Sequence, residues 1–309
     1  MPKKLTVTPA FRPKYWPTWL GLAVLRIICF LPYPILMHIG QGIGKIAYRL
    51  LKKRKRIAQI NIDACFPELS QSERDVLTKE AIINTGIGIM EGFYSWWTPF
   101  DALNARGTLH GAEHVIEAQK QGQGVIILSP HYTSIEVSGR ILFGNLPADT
   151  TYRAQNNEAI DWCLSRARKQ DGCHLIEKTE MRQMIKRLKQ GRAMWYACDQ
   201  DFGRKNSVFV PFFHHQAATI ATIGRLVKIT GAKVVFIDYK RDDRQGFAKA
   251  HYHVNITDPF ETQFLGTDEE NAILMNQQVE HSIRKNMSQY FWVHKRFKKR
   301  PHHNDKPFY

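Results

Sequence analysis

A chain of 309 residues can bury a sizeable core, as one large domain or two modest ones. Its 44 Lys and Arg against 28 Asp and Glu leave a net charge of +16, which favours anionic partners: nucleic acid, a lipid headgroup surface or an acidic protein. Five scattered cysteines (Cys29, Cys65, Cys163, Cys173, Cys198) with no C-x-x-C pair fit neither a disulfide framework nor a zinc site and point to a reducing compartment.

Residues 19–37 read WLGLAVLRIICFLPYPILM, with Arg26 as the only charge. The stretch just reaches the roughly 20 residues that cross a bilayer. Arg26 near its middle would cost about 2.5–3.5 kcal/mol on insertion, and Pro32 and Pro34 disfavour an unbroken helix. A single-pass anchor, a shallow interfacial helix and a buried core helix all remain open. Trp16, Trp19 and Tyr33 suit an interfacial aromatic belt. A cleaved signal peptide does not fit, because no small-x-small site follows and the basic run 52–56 does. For a span, the heavier positive flank (Lys45, Arg49 and 52–56, against Lys3, Lys4, Arg12 and Lys14) puts the rest of the chain in the cytoplasm. The expected organisation is a membrane anchor with a basic juxtamembrane segment over 1–60, then one α/β domain over 61–309.

Helical spacing runs from Ser70 to about Trp97, opened by a capping signal of Ser70 and Glu73. Strands are predicted at 125–128, 150–153, 174–176, 193–197, 234–239 and 251–256. Helices are predicted near 157–171, 179–190, 217–230 and 267–287. The alternation predicts an α/β fold with a mostly parallel sheet flanked by helices. A second basic cluster, 295–300, reads as a solvated face, a fraying end or an anion-binding patch. His214 with His215, His251 with His253, and His302 with His303 lack partners at ligand spacing, so no metal is expected.

The candidate site follows the first of the central strands. The apolar run 124–128 stops at Pro130, with His131 next and Glu136 five residues on. An imidazole at the carboxyl end of a buried strand can take a proton from a hydroxyl while a carboxylate fixes its tautomer. Glu136 has a plainer reading too, because Thr133-x-x-Glu136 is a capping box. Five residues on an ideal helix turn through about 500°, so His131 must sit on the turn before the helix. No serine or cysteine is arranged as a covalent nucleophile, and Cys198 reads as a core residue.

His131-x4-Glu136 resembles the HX4D/E signature of glycerolipid-type acyltransferases. Further motifs are similar to the late acyltransferases of bacterial lipid A biosynthesis, most of all their lauroyltransferase branch. They are the segment from Asn61 to Ser70 ending FPELS, and Tyr152-Arg153 with Asn156-Asn157. Ala154 and Glu158 stand there where prolines are usual. Cys198-Asp199-Gln200-Asp201 with Gly203, the run 207–219, and 289–297 with Arg300-Pro301 complete the resemblance, in order from about residue 12 to the end.

The resemblance implies transfer of an acyl chain from acyl carrier protein to a hydroxyl of a hydroxyacyl chain on a lipid A precursor. It implies a bacterial inner membrane location, the catalytic domain on the cytoplasmic side and no cofactor. Both substrates are anionic, matching the charge. In this reading His131 is the base and Glu136 its support. Arg153 would hold a phosphate or the donor's phosphopantetheine group. Asp199, Gln200, Asp201 and Arg204 would line the substrate site, with a structural loop role open for the acids. Two other readings stand beside it: acyl transfer to another glycolipid or a glycerophosphate, and nucleic-acid binding through Phe291, Trp292 and Phe297 among lysines. The second leaves the apolar amino-terminal run unexplained, and no nucleic acid is expected.

Overall fold

The computed structural model describes residues 8–258, 264–302 and 304–309, so Lys3, Lys4 and His303 lie outside the described residues. The apolar amino-terminal stretch is not one segment. It divides into α1 (Trp16–Ile28) and α2 (Tyr33–Leu50). Pro32 caps α2 in an extended conformation and Pro34 occupies its first turn, so the two prolines start a second helix instead of kinking a span. No helix among the described residues is long and apolar enough to cross a membrane. Arg26 is met by protein: it donates to the Trp97 carbonyl at 3.3 Å and lies over the rings of Phe30 and Trp97.

α3 (Lys52–Cys65) runs through the expected division at residue 60 and leads to α4 (Gln71–Trp97). Ser70 and Glu73 form the expected capping box at the start of α4. α2 lies against α4 along most of its length. The backbones meet at glycines: a Cβ on Gly86 would stand 2.4 Å from the Gly44 amide nitrogen, and one on Gly44 only 2.5 Å from the Ile83 Cα. A buried polar cluster joins the same helices to the sheet. The Tyr33 and Tyr252 hydroxyls are 2.6 Å apart, and Tyr252 and Arg241 both donate to Glu91 at 2.6 and 2.8 Å. Gly86→Ala should therefore lower the unfolding free energy of the whole protein by about 1–3 kcal/mol, the cost of overpacking a tight contact. Urea unfolding checks this; an unchanged midpoint would mean that α2 is an appendage.

The remaining elements are α5 (Phe100–Asn104), β1 (Gly107–His110), α6 (Ala112–Lys120), β2 (Val125–Ser129), α7 (Ile135–Asn145), β3 (Ala148–Tyr152), α8 (Glu158–Lys169), β4 (Leu175–Glu177), α9 (Met181–Lys189), β5 (Ala193–Ala197), β6 (Ser207–Phe212), β7 (His215–Ile220), α10 (Thr222–Thr230), β8 (Lys233–Asp242), β9 (His251–Ile256) and α11 (Asp268–Lys285). The fold is mixed α/β. Its seven-stranded sheet has the order β1-β9-β8-β2-β5-β3-β4, with β8 through β4 mutually parallel and β9 antiparallel to β8. β2 is buried at every position, as a central parallel strand with both faces covered must be. The chain runs outward from β2 through α7 to β3 and through α8 to β4, then returns through α9 to insert β5 between β2 and β3.

Two strand regions differ from expectation. β1, short and only partly buried, has no sequence prediction behind it. The predicted helix 217–230 is β7 followed by α10, and β7 pairs antiparallel with β6 in a separate hairpin. The turn between them is Phe213-His214, without Gly, Pro, Asn or Asp, and Phe213 itself takes a φ of 50°. The usual turn signal is absent there.

The candidate active site

The sheet order brings three carboxyl ends side by side: β2 leading to His131, β5 to Asp199 and Gln200, and β3 to Arg153. This is the crevice where an open parallel sheet reverses its winding. Register does the aligning. Ser129 pairs with Ala197, so two residues farther along, His131 meets Asp199. The Asp199 carboxylate accepts from the His131 amide at 2.8 Å, and its other oxygen lies 2.5 Å from the ring Nδ1. Asp199 is 2% exposed. Burial alone would raise its carboxyl, but the charge and hydrogen bonds of His131, with the Tyr290 hydroxyl, outweigh burial and hold it at about 2. An ionised Asp199 on Nδ1 puts the ring proton there and leaves Nε2 as the basic nitrogen.

The turn carrying His131 is held from three sides. Tyr239 donates to the Pro130 carbonyl at 2.6 Å. The Phe291 amide donates to the His131 carbonyl, the Thr133 amide donates to the Gln289 carbonyl, and Tyr132 bridges to Tyr290. Gly88 of α4 lets the turn come close, since a Cβ there would be 2.5 Å from the Thr133 carbonyl. Asn61 secures the far strand of this clamp by donating to the carbonyls of Trp292 and His294, each at 2.7 Å. The Asn61 and 289–297 motifs are thus two halves of one support behind His131.

The expected pairing of Glu136 with the His131 ring is not made. It is the second residue of α7, and its carboxylate accepts from Arg168 in the last turn of α8, at 3.3 Å from Nε and 2.5 Å from Nη2. Burial disfavours the Arg168 cation, but Glu136 more than restores it and the guanidinium is held firmly charged. The capping reading fails as well: Ser134 is the N-cap, with no side-chain bond, and Thr133 Oγ1 has no hydrogen-bond partner.

His131, Glu136 and Arg168 open into a cavity of about 440 Å³ beside α7. Arg153 and Gln200 line it, together with Arg140 and Tyr152. Ile135, Gly139, Phe143 and Trp195 supply an apolar wall. Three residues expected to bind substrate make contacts within the protein. Asp199 bonds the His131 amide and ring. Asp201 accepts from the amides of Gly203 and Lys299 at 2.7 and 2.8 Å, and Arg204 donates to the carbonyls of Arg300 and Pro301 at 2.5 and 2.9 Å. None of the three lines the cavity. Arg168 carried no sequence signal, because it reaches the site from α8, the helix after the next strand.

Cys198 is buried, its thiol donates to the Ser129 carbonyl, and burial pushes its pKa well up, so it is a core residue. No three or more His, Cys, Asp or Glu among the described residues are grouped to hold a metal ion. The aromatics considered for base stacking are not on the surface: Trp292 and Phe297 are buried, and Phe291 is half-buried against the core. The second basic cluster is partly internal, since Arg296 is buried and donates to the Ala218 carbonyl and Thr219 hydroxyl at 2.6 and 2.9 Å.

Residues 7–299 match the family described as bacterial lipid A biosynthesis acyltransferase. The chain is 36% identical over 297 residues to the lipid A biosynthesis lauroyltransferase of Escherichia coli (strain K12), covering 95% of each. It is 35% identical over 292 residues to the lipid A biosynthesis palmitoleoyltransferase of the same organism, covering 94% of this chain and 93% of that one. A lipid A biosynthesis acyltransferase of Haemophilus influenzae is 34% identical over 294 residues, covering 94% and 92%. The matches span the sheet, its helices and the histidine turn alike, and the chain belongs to the bacterial lipid A biosynthesis acyltransferase family.

Proposed function

We infer that this acyltransferase moves a fatty acyl group from the thioester of acyl carrier protein to a hydroxyl of a hydroxyacyl chain on a lipid A precursor. It would work at the cytoplasmic side of the bacterial inner membrane. The observation that carries the reading is a histidine whose Nδ1 is held by a buried carboxylate and whose ring lines a cationic cavity with an apolar wall. His131 Nε2 takes the proton of the acceptor hydroxyl as its oxygen attacks the thioester carbonyl. The C–O bond forms, the C–S bond breaks, and the imidazolium returns the proton to the leaving thiolate. Asp199 stabilises the imidazolium meanwhile. Arg153, and Arg168 beside its partner Glu136, are the cations in the wall that can meet acceptor phosphate or developing negative charge, whereas Arg140 is buried and committed to Asp171. The donor, an acidic carrier protein, finds a surface of net charge +16.

Relatives named for lauroyl and palmitoleoyl transfer are about equally similar, so the preferred chain is a matter for assay. Purified protein is given acyl carrier protein loaded with C10 to C16 chains and a tetra-acylated lipid A precursor, and ester formation is followed by mass spectrometry. Transfer that prefers one chain length supports the reading and names the donor. Transfer to a glycerophosphate or another glycolipid, but not to this acceptor, would overturn the assignment of the acceptor.

A further inference from the structure

The support behind His131 has a further member, Tyr309. Its hydroxyl accepts from the Phe297 amide at 3.0 Å and donates to Asn61 Oδ1 at 2.5 Å. Asn61, 1% exposed, turns its other end to the carbonyls of Trp292 and His294 and donates to both. The polarity of this relay is set at Tyr309. A side-chain amide has one accepting and one donating end, and turned over it would press its oxygen against two carbonyl oxygens. The phenol proton holds Oδ1 on the opposite side. Burial pushes the Tyr309 phenol well up, so it stays protonated and keeps donating. The ring has its own contacts, with Lys295 Nζ 5.0 Å from its centroid. Phe308 beside it packs elsewhere, against Phe297 and His215 with ring centroids 4.6 and 5.2 Å apart. The hydroxyl and the packing of the 308–309 segment are therefore separable.

The carbonyls that Asn61 holds follow directly on the residues that touch the site. The Phe291 amide donates to the His131 carbonyl at 2.9 Å, and the Gln289 carbonyl accepts from the Thr133 amide. Between them, the Tyr290 hydroxyl bonds Asp199. A shift of 289–294 thus moves the histidine turn and the setting of its carboxylate together. We propose that Tyr309 is a positioning residue for His131: its hydroxyl fixes the Asn61 amide, which pins the 292 and 294 carbonyls and so places the segment that holds the histidine turn and Asp199. Tyr309 is not among the residues that line the cavity, so it acts on the geometry of the pair and leaves substrate contacts alone. Its part in turnover rests on His131 being the base of an acyl transfer; the positioning itself does not.

The test uses the full chain and two readouts. Tyr309→Phe keeps the ring and removes only the hydroxyl. Its kcat should fall roughly tenfold, short of the ~10²-fold that a full ångström of misplacement can cost, with KM unchanged. Nitrogen-15 NMR of labelled histidine needs no substrate. The His131 ring, with its proton on Nδ1 in wild type, should shift in the variant toward an average of two tautomers. Phe308→Leu is the control for packing. It should lower the melting temperature and leave both kcat and the His131 signal as they are. Asn61→Ala should reproduce the Tyr309→Phe effects, and combining the two should add nothing, because they break one relay. A folded Tyr309→Phe with wild-type kcat and an unmoved His131 signal would overturn the proposal. So would equal losses in Phe308→Leu, which would make the effect one of packing, or full additivity with Asn61→Ala. Wild type that transfers no acyl group would sink the enzymatic reading, while the NMR comparison still decides the positioning.

Discussion

His131→Ala is expected to lower kcat by at least about 10²–10⁴-fold, the usual worth of a general base, with the fold intact. The reason lies in how little of the structure depends on the ring. The turn is held through backbone groups and neighbours: the His131 amide and carbonyl, the Pro130 carbonyl, and Tyr132 against Tyr290. The imidazole is a quarter exposed at the cavity, with Asp199 as its hydrogen-bond partner. Removing it takes away the proposed proton acceptor and leaves the other cavity-lining side chains Arg153, Arg168 and Gln200 in place. KM should therefore change little. Single-turnover transfer with saturating donor checks this, and near-normal turnover in a folded variant would remove His131 from the chemistry.

Asp199→Asn should cost a similar factor by a different route. The side chain keeps its size, but an amide in place of the carboxylate can donate to Nδ1, which favours the tautomer carrying its proton on Nε2. That tautomer cannot accept a proton from a hydroxyl. Nitrogen-15 NMR of labelled histidine should find the His131 proton on Nδ1 in wild type and on Nε2 in the variant. Glu136→Gln is the control. It should lower turnover through Arg168 while leaving the proton on Nδ1, because Glu136 bonds Arg168 and makes no hydrogen bond to the ring. If Glu136→Gln moved the tautomer and Asp199→Asn did not, the roles assigned here would be reversed. Asp199 also links stability to pH. Its folded carboxyl lies at about 2, below the ordinary value near 3.9. Its contribution is thus complete above that ordinary value and is lost as pH falls through about 2. Asp199→Asn should lack this part of the acid unfolding profile.

Much of the architecture was legible before folding was considered. Unbroken apolar runs such as 125–128 and 193–197 read as buried parallel strands because both of their faces are covered, and β5 has the predicted bounds. The hairpin of β6 and β7 was hidden because its turn residue Phe213 carries no turn chemistry. The amino-terminal run left three readings open, and its prolines, which disfavoured an unbroken helix in the sequence, stand where α2 begins.

By itself the sequence determined where the candidate histidine would stand. A histidine directly after a strand-ending proline can go nowhere but the carboxyl end of that strand, a local consequence of strand length and of the fixed φ of proline. It also determined that the chain would be cationic and that an apolar run would come early. Which carboxylate serves the histidine was decided only by tertiary structure. Glu136 is near in sequence, but helix geometry takes it to Arg168. Asp199 is 68 residues away and becomes adjacent because β5 returns to pair with β2 in a register that matches Ser129 to Ala197. Strand order and register come from the packing of all the helices against the sheet, and no local spacing encodes them.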